Sequence, residues 1–177
     1  MKSKKEIRAS VRTLLKELSP QERERAAQLI SSRILSMSEL NSAKVVALFV
    51  SMLDEPDTSA LLSVLSGRCR VVVPRIGGDE MEFFDYNAEA LSTGSYGIRE
   101  PVGDTPIVPS EIDFMVVPGV AFTADGCRMG RGKGFYDKYM SREGFRAYKA
   151  GICLALQIVE ELPCEPHDIK MDIVVSA

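Results

Sequence analysis

A chain of 177 residues can bury one good hydrophobic core and leaves little for a second, so one domain over 1–177 is expected. Apolar residues at 45% and charged residues at 27% exclude a largely disordered chain, and a net charge of −3 argues against a general nucleic-acid binder, which carries a basic excess. The apolar runs fall far short of the roughly 20 residues that cross a bilayer, and MKSKKEIRASVR is charged where a signal peptide needs an apolar stretch, so a cytosolic protein is expected.

Along 4–18, Ile7, Val11, Leu14, Leu15 and Leu18 recur at three- and four-residue steps, the pattern of one helix face. Ser19-Pro20-Gln21-Glu22 then supplies a cap hydroxyl, a proline at the first helical position and a glutamate three residues after the cap, which predicts a second helix. The all-apolar run 45–50 suits a strand covered on both faces. A polar turn through Asp54-Glu55-Pro56-Asp57 leads to Thr58 as the cap of a short helix at 59–66, which Gly67 closes.

Further strands are expected at 70–74, 81–86, 113–118, 151–156 and 172–175, with helical stretches between several of them. Residues 87–110 lack periodicity and are rich in Gly, Pro, Ser and Thr, which predicts a loop over the sheet. The pattern favours α/β. Cys69, Cys127, Cys153 and Cys164 are too widely spaced for a metal knuckle and are expected to be free thiols.

The chemistry concentrates in 118–137, PGVAFTADGCRMGRGKGFYD, which follows an expected strand and precedes an expected helix. Glycines at 126, 130, 132 and 134 allow the backbone to approach an anion, and Arg128, Arg131 and Lys133 add positive charge. The segment is not a P-loop: five residues separate Gly126 from Gly132-Lys133, and Gly134 stands where a Ser or Thr would hold magnesium. Without more, such a loop could equally be a basic surface turn.

PGVAF-x3-G-x-R-x-GRGKG-x-YD resembles the ATP-binding signature of the 5-formyltetrahydrofolate cyclo-ligases. A near-terminal Lys-x-x-x-Arg, FVSMLDEPDT at 49–58 and HDIKMD at 167–172 agree with the same family, so the resemblance spans nearly the whole chain. It implies a three-layer α/β/α fold with a mostly parallel sheet, similar to the sugar-phosphate isomerase and CoA-transferase group. It implies ATP-dependent cyclisation of 5-formyltetrahydrofolate to 5,10-methenyltetrahydrofolate, with ATP and Mg²⁺ required and a monomer acting on small molecules.

Residue by residue, the resemblance assigns Lys4, Lys5 and Arg8 to ATP, together with Arg128, Gly130, Arg131, Gly132, Lys133, Gly134, Phe135 and Tyr136. Arg131 and Lys133 are the expected catalytic cations that neutralise the moving γ-phosphoryl group. Val50, Glu55 and Tyr96 match folate-contacting positions, and Asp137 and Asp168 match magnesium carboxylates. Many members have Tyr-Tyr after the glycines, whereas this chain has Phe135-Tyr136, so the first hydroxyl is dispensable or replaced. His167, the single histidine, is expected to be a polar loop residue. Two other readings stay open: a noncatalytic anion sensor using the same loop, and an RNA-associated protein using the basic first helix, which the net charge disfavours.

Overall fold

A computed structural model describes residues 2–94 and 97–177. In chain order the elements are α1 (Lys4–Glu17), α2 (Pro20–Leu35), α3 (Ser38–Asn41), β1 (Val45–Ala47), α4 (Ser59–Ser66), β2 (Arg70–Gly77), β3 (Glu80–Asp85), β4 (Leu91–Thr93), β5 (Arg99–Pro101), β6 (Phe114–Val117), β7 (Ala121–Phe122), β8 (Arg128–Met129), α5 (Phe135–Met140), β9 (Tyr148–Cys153) and β10 (Ile173–Ser176). A six-stranded sheet runs in the order β10-β9-β6-β1-β2-β3. All of its pairings are parallel except that of β3, which closes one edge as an antiparallel hairpin on β2.

Because side chains alternate across a strand, each strand feeds two cores. Val46, Leu48, Val71, Val73, Phe114, Val116, Ala150 and Ile152 point to one face, where Ile30 and Ile34 of α2 and Leu61, Leu62 and Leu65 of α4 cover them. Ala47, Val72, Met115, Val117 and Cys153 point to the other, where Phe122, Tyr139 and Met140 lie. This double burial is why the strands read as unbroken apolar runs. A third cluster seats α1, through Ile7, Val11 and Leu15, on Ala121, Met129 and Leu154.

Both long helices begin with reciprocal caps: Ser3 with Glu6, and Ser19 with Glu22. Three expectations need correction. β1 ends at Ala47 rather than at 50, although the Leu48 N–H still donates to the Val72 carbonyl at 2.9 Å, because the chain then turns to form the rim of a cleft. The 87–110 segment is not all loop, since β4 and β5 pair as an antiparallel ribbon within it. Thr58 does precede α4, but its buried hydroxyl donates to the Phe49 carbonyl at 2.6 Å, and Asp57 accepts from the Ser59 N–H instead. A buried hydroxyl must find a partner, and the carbonyl just beyond β1 lies within its reach. No helix among the described residues is long and apolar enough to cross a membrane.

Candidate active site

Chain order reverses between β1 and β6, which lie side by side while their successors lead to opposite edges of the sheet. Open α/β sheets bind ligands at the carboxyl ends of strands flanking such a reversal. Here the residues after β1, Phe49 and Val50, and those after β6, Pro118 and Gly119, border a cleft of about 320 Å³. Met52, Pro74, Ile76 and Met81 extend its apolar wall, and the glycine-rich loop with Arg128, Arg131, Lys133 and Asp137 forms the opposite wall.

The loop is held rather than adrift. Arg128 is almost fully buried, donating to an Asp137 oxygen at 2.6 Å and to the Pro118 carbonyl at 3.2 Å, while its Nε has no partner among the described residues. Gly134 sits at φ 69°, a left-handed conformation that suits a residue without Cβ, and opens α5 with no side-chain cap. Lys133 is exposed at the cleft and makes no ion pair or hydrogen bond among the described residues.

Arg131 reaches across the cleft to the segment after β1, donating to Asp54 at 2.6 Å and to Glu55 at 3.1 Å. The other Glu55 oxygen accepts from the Met52 N–H at 2.8 Å. Burial raises the Glu55 pKa above the usual glutamate value, and the Met52 amide and Arg131 offset this only in part. Burial also raises Tyr136, with the nearby Glu55 charge adding to it, so this cleft-lining phenol stays protonated. Arg128 lies 5.6 Å from the centre of the Tyr136 ring.

The far end of the chain closes the site. Arg8 donates from Nε to the Gly130 carbonyl at 3.0 Å, joining α1 to the loop. Lys4 pairs with Asp168 at 3.2 Å and Glu165 at 3.3 Å. Burial works against the Lys4 charge, but these carboxylates outweigh it and raise its pKa. Lys5 is exposed. Val50, Glu55, Phe135 and Tyr136 all border the cleft, whereas Tyr96 lies outside the described residues.

The two carboxylates expected at a metal are not equivalent. Asp137 borders the cleft, and beyond its bond to Arg128 it accepts from the Ile169 N–H at 3.1 Å. Each of its oxygens keeps a further lone pair. That donor fits a magnesium ion, which takes one or two carboxylates and completes its shell with phosphate oxygens and water. Asp168 lies outside the cleft lining, bound to Lys4 and to the Glu165 N–H at 2.8 Å, and reaches the site only through its neighbour Ile169. His167 is exposed and contacts Glu165 at 3.1 Å. Sequence reasoning missed Met52, Pro74, Ile76 and Met81, whose apolar character is shared with every core strand and so carries no separate signal.

The sequence model of the 5-formyltetrahydrofolate cyclo-ligase family matches residues 1–177. The chain belongs to that family. Among cyclo-ligases, the Escherichia coli enzyme is 30% identical, over 94% of this chain and 96% of its own length. The mouse enzyme is 27% identical, over 96% and 91% respectively. The solved structure of an Aquifex aeolicus 5,10-methenyltetrahydrofolate synthetase superposes with a TM-score of 0.87 at 33% identity, covering 98% of this chain and 89% of that one. The cyclo-ligase signature read from 118–137 thus coincides with the loop that walls the cleft.

Proposed function

We propose that this cleft performs the cyclo-ligase reaction, converting 5-formyltetrahydrofolate to 5,10-methenyltetrahydrofolate while ATP becomes ADP and phosphate. The observation that carries it is one cleft bounded on one side by the cationic glycine loop and on the other by an apolar wall with a single acid, the half-buried Glu55. The first wall suits a triphosphate, and the second suits a flat pterin with donor groups.

The formyl oxygen on N5 attacks the γ-phosphorus, and the bond from phosphorus to the bridging oxygen of ADP breaks. N10 then attacks the formyl carbon, the carbon–oxygen bond breaks to release phosphate, and N10 gives up its proton to water. The scheme requires no protein nucleophile. Arg131 and Lys133 neutralise the transferring group, Lys4, Lys5, Arg8 and Arg128 steady the nucleotide end, and the amides around Gly130, Gly132 and Gly134 receive phosphate oxygens. Phe135 and Tyr136 exclude water behind them. Val50 and Glu55 receive the folate, with Tyr96 on the facing loop. Asp137 would hold a magnesium ion carried in with the nucleotide, with Asp168 nearby, and the ion would supply charge neutralisation of the phosphates.

In the same reading 1–177 is one catalytic domain, working as a cytosolic monomer on small molecules, without nucleic acid or membrane. The test is an assay with ATP, Mg²⁺ and 5-formyltetrahydrofolate, following the near-ultraviolet absorbance of the methenyl product and ADP release. Nucleotide binding without folate-dependent ADP release would leave an anion sensor in place of an enzyme.

A further inference from the structure

The four cysteines are all free, and two of them meet. Cys153 is buried in the core at the end of β9, and the Cys69 thiol donates to the Leu65 carbonyl at 3.6 Å. Cys127, half-buried just before β8, and Cys164, exposed on the segment that leads to β10, share a side-chain hydrogen bond although they are far apart in sequence. The backbone is built to bring these segments together. The Met171 N–H donates to the Gly126 carbonyl at 2.8 Å. A Cβ on Gly126 would lie 2.4 Å from the Met171 carbonyl oxygen, so only a glycine beside Cys127 allows so close an approach. Lys170 donates to Asp125 at 2.6 Å and also reaches the Cys127 sulfur, which sets a positive charge against the pair.

Two thiols in hydrogen-bonding contact, one open to solvent and a cation beside them, form the arrangement that exchanges with disulfides. The cation favours the thiolate, which is the attacking form, and the second thiol is at hand to resolve the mixed disulfide. Both segments also serve the cleft. Cys127 is bonded covalently to Arg128, which donates to Asp137 and to the Pro118 carbonyl. On the other segment the Ile169 N–H donates to the second Asp137 oxygen, and Glu165 and Asp168 anchor Lys4.

We propose that Cys127 and Cys164 are a redox site, closed into a reversible disulfide by a low-molecular-weight disulfide as oxidant, and that closure slows the enzyme. Cys127, with Lys170 beside it, attacks one sulfur of the oxidant as the thiolate. The oxidant's S–S bond breaks, and one half leaves and takes up a proton. Cys164 then loses its proton and attacks the Cys127 sulfur, and the second half leaves with that proton. Two protein thiols are oxidised to one disulfide, and the oxidant is reduced to two thiols. An S–S bond of about 2.05 Å is shorter than any hydrogen bond, so closure draws the two segments together and shifts Arg128 and Ile169 on the Asp137 they share. Where thiols are kept reduced, such a bond forms only under oxidation and opens again afterwards. The bond itself is independent of the cyclo-ligase reading; only its effect on turnover rests on that reading.

The test is incubation of the full chain with oxidised glutathione, followed by thiol titration in denaturant, peptide mapping, and assay of methenyl formation before and after a dithiol reductant. The four titratable thiols are expected to fall to two, with the peptides of Cys127 and Cys164 joined. Turnover should drop by about tenfold, since small displacements of site groups cost rates of this order, and should return on reduction. Cys164→Ser, at an exposed position outside the cleft lining, should match the reduced wild type and keep its turnover after oxidised glutathione. Cys69→Ser should lose turnover on oxidation as the wild type does. Four thiols after oxidation, or a link between other cysteines, overturns the site. A complete Cys127–Cys164 bond with unchanged turnover overturns the switch, as does equal loss in Cys164→Ser, which would assign the effect to a glutathione adduct on Cys127. If the reduced wild-type chain forms no methenyl product, the cyclo-ligase reading fails, and the thiol count and mapping still decide the bond.

Discussion

Arg128 and Arg131 are paired to carboxylates, whereas Lys133 on the same loop is bound to nothing among the described residues, and in the proposed reaction this difference matters. A phosphate must compete for the arginines but not for the lysine. Lys133→Ala is therefore expected to lower kcat for methenyl formation by about 10²–10³-fold, as loss of a preorganised transition-state donor does, with an unchanged circular dichroism spectrum. Glu55 offers a pH test. Its raised pKa means that the folded state holds a proton the unfolded chain releases, so stability is full below the ordinary value of 4.5 and is lost as pH rises through the folded value. Against this profile Glu55→Gln, which cannot ionise, should show a flatter Tm between pH 4 and pH 7 and a relative gain at the upper end, together with weaker folate binding. Parallel Tm curves for the two proteins would remove burial as the cause.

At the scale of elements, the two capping boxes are chemically alike and functionally distinct. Ser19→Ala and Ser3→Ala should each cost about 1 kcal/mol in urea denaturation. Only Ser3→Ala should also raise KM for ATP, because α1 carries Arg8 onto the Gly130 carbonyl while no residue of α2 lines the cleft. The Ser19 box was legible because hydroxyl, proline and glutamate stand at fixed short spacing. The register of α1 was legible from Ile7, Val11 and Leu15. The β4–β5 ribbon was not: strands of three residues have too few side chains to establish an alternation, and their pairing depends on a partner rather than on local preference. Thr58 was misread for a related reason, since its position fits a cap and only the fold brings the Phe49 carbonyl within 2.6 Å of its hydroxyl.

Across the whole molecule, the site depends on one close packing. A Cβ on Gly151, in β9, would lie 2.5 Å from the Phe122 ring, so β7 can rest on the sheet only over a glycine. Gly151→Ala is expected to cost about 1–3 kcal/mol in denaturant unfolding and to weaken ATP binding, because displacing Phe122 shifts the β7–β8 ribbon that leads into the loop. Loss of stability with unchanged ATP affinity would separate the loop from this packing. By itself, the order of residues determined the helices with caps and apolar stripes, the buried parallel strands and the family signature in the glycine-rich loop, since each rests on side chains near one another in the chain. Only the tertiary structure decided that Arg8 meets Gly130, that Arg131 spans to Asp54 and Glu55, and that Asp137 rather than Asp168 borders the cleft. Those pairings join residues far apart in sequence, and their geometry follows from the strand order β10-β9-β6-β1-β2-β3, which no local pattern encodes.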